Sequence, residues 1–508
     1  MTSSFFDGRR LWLWILAGWL IVGLYALLRP HCCVPRPTDD LFYVDAAWKI
    51  QSGHYTAPTP DFPYHHYLRW SVILPLALVM KLFGTSEAVL RLYPLIYMGG
   101  ASLLFAAVAR TLTQSTPAAF AAALVPLLLP WGMAGVRILS EGPALAWFAV
   151  GLAVVIFWGD RTPRRALIAA GACTALTISA NQTAVFSAFL LPLFVLLRED
   201  GNWLRRAIQI AIAYGAGLFG TYALIILAEG IAFGDPLIEV HAVSWWHFKS
   251  IEGETATFWR EFFNPASNEF ALGFLVQILR SYPVFALLLL VLAALAGRGL
   301  RNHNLVTLFG CGLLAWLALE FLGPFVVRKM YLRFAILPVA TVTFCLACAA
   351  AEAMRTFQSR WPAAAFATAL LFLAPMQTWE NIKAAHNDVP TNYYREPFHM
   401  VVQHWTKTLP RAKSDDIVVV SDVPTLPGLI GMPWAHNAYT HYRLFDRFRQ
   451  GAEADALSNP APVRYFITQN GPGPELAGRG FVEIPPDPTV TDKHARVFVS
   501  VDSARVSR

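Results

Sequence analysis

The sequence predicts a mainly α-helical, polytopic membrane protein that ends in a small α/β domain. Three observations carry that prediction: the composition, a series of apolar runs near spanning length, and the placement of basic residues between them. Of 508 residues, 56% are hydrophobic and 14% charged, with mean hydropathy +0.45. Ordinary soluble domains carry about 25% charged residues, and a single buried core does not explain so large a deficit. Lipid must replace the missing polar surface. Seventeen tryptophans fit an interfacial belt, where ring and N–H meet different surroundings. The formal charge of +7 points first to cytoplasmic loops and calls for no nucleic-acid partner.

Taken in order, the chain begins with Arg9-Arg10 and an apolar run from Leu11 to Leu28. That run is long for a signal-peptide core and no A-x-A site follows, so it reads as a retained signal anchor. A spanning helix needs about 20 predominantly apolar residues. Candidate spans lie near 11–28, 88–109, 117–135, 143–158, 165–180, 183–197, 207–232, 272–296, 304–322, 334–351 and 361–376, about 11 in all, the pair within 165–197 being short. With the N-terminus inside, the inside loops carry Arg9-Arg10, Arg110, Arg161 with Arg164 and Arg165, Arg205-Arg206, Arg298 with Arg301, and Arg355 with Arg360. Every one is short and basic, as the positive-inside rule requires. An odd number of spans then puts the C-terminus outside.

Trp70 to Phe83 is apolar for too short a distance to span and has Arg69 before it and Lys81 within it. It reads as a helix lying in the interface, which leaves 29–87 as one long outside loop. Beyond Met376 the composition shifts, dividing the chain into a membrane module, 1–377, and a domain, 378–508. Asp416–Ser421, Val463–Thr468 and Arg496–Val501 alternate as strands; Glu396–Leu409 and Tyr442–Arg449 read as helices. Their order suggests an extracytoplasmic α/β domain. Of six cysteines, Cys173, Cys311, Cys345 and Cys348 lie in apolar runs, and adjacent Cys32 and Cys33 are poorly placed to pair. No metal or redox spacing is present.

Charged residues on the outside face are the informative ones. Asp39-Asp40-Leu-Phe-Tyr43 follows the first span, where water reaches two adjacent carboxylates. Their repulsion couples their titrations and raises one pKa, which suits a general base. The plainer alternative is a helix cap by Thr38 or Asp39. Arg137-Ile-Leu-Ser140-Glu141-Gly-Pro143 lies between the third and fourth spans; Arg137 and Glu141 can pair across one turn, and Glu141 with Pro143 opens a helix well. Arg328-Lys329-Met-Tyr331-Leu-Arg333 sets three cations outside, against the orientation rule. An anion there explains them, a lipid phosphate above all, since guanidinium binds phosphate in a bidentate fork. Tyr64-His65-His66-Tyr67-Leu-Arg69 and the group Glu239, His241, Trp245, Trp246 and His247 are weaker signals. Neighbouring side chains such as His65 and His66 face apart on a helix, and the tryptophans either stack on a sugar or anchor a loop.

The ordered set resembles the GT-C superfamily of membrane glycosyltransferases, in the branch of protein O-mannosyltransferases and the lipid A aminoarabinose transferase. It comprises a single span, a long outside loop opening on Asp39-Asp40-x-x-Tyr43, the segment Leu82-Phe-Gly84-x-x-Glu87-x-x-x-Arg91-Leu-x-Pro94, Ser140-Glu141-Gly-Pro143, and a late Arg/Tyr-rich loop. The likeness covers most of 1–350. It implies an inverting transfer of a monosaccharide from a polyprenyl-phosphate-linked donor to a glycan, lipid or protein outside the cytoplasm. By position, Asp39 would be the base with Asp40 beside it, and Glu141 would orient acceptor or base. Arg333, Arg328 and Tyr331 would grip the donor phosphate, with Arg69 and Arg137 as further cations. His65, His66, Tyr43 and Trp245 would face acceptor or sugar. The Lys-Pro-Pro-Leu element of that branch is absent, and Tyr64–Arg69 stands in its place. No metal ligand set is assigned and no cofactor is required, a divalent ion remaining open.

A bacterial inner membrane, with the C-terminal domain in the periplasm or outside, is the location implied. A transporter or flippase of a lipid-linked or anionic substrate is the rival. Transporters place ionisable groups near the membrane midplane and often carry inverted repeats, whereas here Glu229 and Glu320 lie near span ends.

Overall fold

The computed structural model of the chain describes residues 8–28, 43–44, 46–47, 50–51, 68–84, 87–130, 140–159, 161–198, 202–239, 274–297, 302–326, 332–356, 372–373, 375–380, 419–421, 465–468, 481–484 and 496–500. It divides into two compact units. One comprises Met1–Cys33, Arg69–Val72 and Leu92–His386; the other comprises Val34–Leu68, Ile73–Arg91 and Asn387–Arg508.

The helices in chain order are α1 (Gly8–Leu28), α2 (Trp70–Phe83), α3 (Glu87–Thr113), α4 (Thr116–Leu128), α5 (Glu141–Trp158) and α6 (Pro163–Ala180). After a 3-10 turn, Gln182–Ser187, come α7 (Leu190–Arg198), α8 (Trp203–Phe233), α9 (Phe274–Ser281), α10 (Pro283–Ala296) and α11 (His303–Val326). A second 3-10 turn, Leu332–Ala335, leads into α12 (Ile336–Thr356).

Five stretches are long and apolar enough to cross a membrane: Ala88–Thr113, Glu141–Trp158, Trp203–Phe233, His303–Leu322 and Arg333–Met354. This is a multi-pass membrane protein. They coincide with five of the predicted spans. The run near 272–296 is no straight span, because α9 and α10 meet at 113°. Pro283 is the cause. It opens α10, and Tyr282 before it sits at φ −135°, ψ 60°, since a residue preceding proline is sterically kept out of the α region. The runs near 11–28, 117–135 and 183–197 appear as shorter apolar helices, Leu11–Leu24, Thr116–Leu128 and Gln182–Arg198. The run near 165–180 forms α6, and most of 361–376 lies outside the described residues.

Burial within the first unit ranks its helices. The window through α12 is 94% buried and that through α8 only 22%. The helix α12 is rich in alanine and packs against α4, α10 and α11, with Phe344 5.4 Å from Phe105 of α3 between ring centroids. The helix α8 turns Phe219, Leu224 and Ile231 outward, which is the face lipid would cover. Its inner face meets α6 backbone to backbone. A Cβ at Gly217 would collide with the Ile168 carbonyl, and one at Gly171 with the Tyr214 carbonyl. Small residues permit this approach where no hydrophobic drive separates helix from lipid. Tyr214 then locks the pair, its hydroxyl lying 2.7 Å from Thr174 Oγ1 and 2.6 Å from the Ala188 carbonyl.

The described part of the second unit includes a four-stranded mixed sheet: β1 (Val419–Ser421), β2 (Tyr465–Thr468), β3 (Phe481–Ile484) and β4 (Arg496–Ser500), in order β1-β2-β4-β3. β1 and β2 are parallel, in register Val419 with Tyr465, and β4 runs antiparallel to both its neighbours. A parallel pair needs a long crossover, and the connection 422–464 is long enough. Three strands match the predicted segments; β3 was not anticipated. The helices expected at 396–409 and 442–449 lie outside the described residues.

Candidate functional site

Of the residues to which the resemblance gives a role, Tyr43, Arg69, Glu141 and Arg333 are described. Asp39, Asp40, His65, His66, Arg137, Trp245, Arg328 and Tyr331 lie outside the described residues. Tyr43 belongs to the second unit, where it is fully buried. The other three belong to the first.

Glu141 opens α5. The local reasons were legible: an acidic residue is favoured at the positive end of a helix, and Pro143 is tolerated in the first turn because its missing N–H has no helical partner there. Ser140 sits at the cap without a side-chain capping bond. Folding then does what spacing does not reveal. The Glu141 side chain is 1% exposed and its Oε1 lies 3.3 Å from Arg333 Nε. Arg333 is on the 3-10 turn before α12 and keeps 28% of its side chain exposed. Among the described residues nothing donates a hydrogen bond to either Glu141 oxygen, so the described pairing is coulombic. Phe334 lies beneath the guanidinium, 5.8 Å from ring centroid to Cζ, a distance at which the ring face attracts a cation. Sequence spacing suggested Arg137 as the partner of Glu141; the described partner is Arg333, far along the chain.

The arrangement is a braced cation. A buried carboxylate unpaired would be costly, and a guanidinium beside it offsets that cost. Arg333 in turn is held in one place while part of its side chain stays exposed. Such a group can receive an anion with little further ordering.

Arg69 stands at the entry to α2. Burial raises the Glu239 carboxyl above its usual range, and the Arg69 charge pulls it back. The sequence placed Arg69 among the donor-phosphate cations and Glu239 in an outside loop whose tryptophans either stack on a sugar or anchor the loop. Between α8 and Glu239 the chain turns at Gly234-Asp235-Pro236, where the Asp235 N–H reaches back to the Gly230 carbonyl at 3.0 Å. At the far end of the first unit's α11, Glu320 Oε2 accepts the Phe274 N–H at 3.0 Å, which caps α9. Among the described residues no group of three His, Cys, Asp or Glu side chains is placed to hold a metal ion.

Neither a family model nor a curated protein matches the chain. Solved structures do. The crystal structure of ArnT from Cupriavidus metallidurans bound to undecaprenyl phosphate is similar at TM-score 0.54 and 13% identity, over 97% of this chain and 98% of that one. Arabinofuranosyltransferase AftD from Mycobacteria matches at TM-score 0.51 and 15% identity, over 97% of this chain but 40% of its own. The apo oligosaccharyltransferase from Archaeoglobus fulgidus matches at 0.41 and 14% identity, over 90% of this chain and 69% of that one. The chain shares the fold of ArnT and AftD, both GT-C superfamily membrane glycosyltransferases.

Proposed function

We propose that this chain is an inverting membrane glycosyltransferase that moves a monosaccharide from a polyprenyl-phosphate-linked donor to an extracytoplasmic glycan, lipid or protein. One observation carries the reading: Arg333, partly exposed, is braced from below by the buried Glu141 at 3.3 Å. A leaving phosphate gains negative charge as the glycosidic bond breaks. A cation held still before the reaction stabilises that charge without reorganising. The undecaprenyl phosphate bound to ArnT, which has the same fold, supports this class of donor.

In the reaction proposed, the acceptor hydroxyl oxygen forms a bond to the anomeric carbon. The bond from that carbon to the phosphate oxygen breaks, and polyprenyl phosphate departs with the electron pair. The hydroxyl proton passes to Asp39, with Asp40 beside it modulating its proton affinity. Arg333, with Arg328 and Tyr331, holds the phosphate; Arg69 and Arg137 add positive charge. Tyr43, His65, His66 and Trp245 are assigned to the sugar and acceptor side. Glu141 is the positioning residue of Arg333, which departs from a role on the acceptor. The cytoplasmic N-terminus, the extracytoplasmic C-terminal domain and the inner-membrane location are parts of the same proposal.

The test uses purified chain in lipid with a polyprenyl-phosphate sugar. Asp39→Asn should abolish transfer while leaving donor binding in place. Arg333→Lys, which keeps a charge against Glu141 but loses the planar fork, should weaken donor binding about tenfold. Normal turnover by Asp39→Asn would remove that residue from the base role, and unchanged donor affinity in Arg333→Lys would remove Arg333 from the phosphate.

A further inference from the structure

A short helix packs against the turn that presents Arg333. The helix α9 has eight residues, too few to keep a helical form alone in water. The 113° bend at Pro283 separates it from α10, so its direction is not inherited from that neighbour. What holds it is tertiary. Phe274 and Ile278 are buried in the same core as Leu319 of α11 and as Ala335 and Ile336, while Leu275 and Leu279 point outward. At the first residue of α9 the Phe274 N–H meets Glu320 Oε2 at 3.0 Å. An N–H in a first turn has no partner within its own helix, and here another helix supplies the acceptor.

The packing of α11 on α12 places Glu320 beside this turn. Only 327–331 separate α11 from the 3-10 turn that opens α12, so the two helices run antiparallel. A Cβ at Gly312 would stand 3.0 Å from Thr341 Cγ2, which makes those two residues level. Glu320 comes eight residues after Gly312, and Arg333 eight before Thr341. At about 1.5 Å per residue, both stand about 12 Å along, at the same end of the pair. The helix α9 touches the 3-10 turn Leu332–Ala335 itself. Arg333 is thus held twice: Glu141 fixes its guanidinium at 3.3 Å, and α9 backs the turn from which the side chain leaves. We infer that Glu320 is a positioning residue of Arg333, fixing α9 against that turn through the Phe274 N–H.

The consequence for donor binding rests on the reading that Arg333 receives the donor phosphate. A group displaced by about 1 Å loses much of its effect on a bound substrate. Loosening α9 lets the turn shift without removing any charge from Arg333, so donor binding falls while acceptor binding does not.

Donor affinity and hydrogen exchange test this on the purified full chain in lipid, with a polyprenyl-phosphate sugar as the probe. Glu320→Leu, of similar size and without an acceptor, should speed exchange of the α9 amides. It should also weaken donor binding about tenfold and leave the acceptor KM unchanged. Glu320→Gln keeps an oxygen acceptor and should retain most of the donor affinity. Glu320→Asp sets its carboxyl one methylene short of Phe274; it should show the same loss in smaller degree, and it serves if Glu320→Leu does not fold. In an Arg333→Lys background the loss from Glu320→Leu should shrink to within about twofold, because residues acting through one another are not additive. The same tenfold loss in both backgrounds overturns the inference, as does unchanged donor affinity once α9 exchanges faster. Unchanged affinity in Arg333→Lys alone would instead fail the reading of Arg333 as the phosphate cation.

Discussion

Arg333 and Glu141 differ in exposure, 28% against 1%, and that asymmetry predicts unequal costs of removal. Arg333→Ala strands a carboxylate that water cannot reach, at a cost of about 3 kcal/mol. Glu141→Gln leaves a guanidinium that can still turn to solvent, at a cost of about 1 kcal/mol. Thermal unfolding of the two variants at neutral pH should therefore rank Arg333→Ala as the less stable, and the reverse order would mean that Glu141 is not buried against it. Tyr214→Phe is a parallel case among uncharged groups. Its hydroxyl serves both Thr174 and Ala188, and losing it from a buried site should cost about 1–3 kcal/mol. Local sequence showed that Ser140-Glu141-Gly-Pro143 begins a helix and that Arg333 is a cation out of place. It did not pair them, because i,i+4 reasoning reaches one turn and this contact spans two separate helices.

The pairing of α6 with α8 rests on two glycines rather than on large apolar side chains. Gly217→Leu should push the Ile168 backbone away and Gly171→Val should do the same to Tyr214, each costing more than the 1–3 kcal/mol typical of an overpacked core. Replacing Gly220, which has open space about it, should be tolerated; equal damage at Gly220 and Gly217 would show that helix propensity and not approach is responsible. Element existence was well marked in the sequence. The bounds of α2 and of the five long apolar helices follow from runs of apolar residues that end at charges, Gly or Pro. The bend at Pro283 was present as a residue and not foreseen, because hydropathy averaged over a window ignores the constraint that proline places on Tyr282. The strand β3 escaped for a related reason: Phe481–Ile484 is short and sets apolar Phe481 on the same face as Glu483, so that only pairing with β4 marks it as a strand.

On the scale of the molecule, the first unit has a buried axis in α12 and a lipid-facing member in α8. A spin label placed by Phe219→Cys, in a background freed of other reactive thiols, should collide with oxygen dissolved in lipid. One placed by Phe344→Cys should not, given residue exposures of 72% for Phe219 and 0% for Phe344. Equal accessibility would contradict the ranking of these helices. Assignment to the GT-C fold rests at this scale too. No family model or curated protein matches the chain, yet ArnT matches over nearly the whole of both chains.

By itself the sequence determined that this chain lives in a membrane, where most of its helices begin and end, and which outside charges were worth watching. Those properties depend on composition and on spacing of a few residues, and both are local. Only the tertiary structure decided that Glu141 lies under Arg333 and that Gly171 and Gly217 bring two backbones together. Each depends on where helices cross. That is set by packing summed over many side chains, and no run of neighbouring residues contains it.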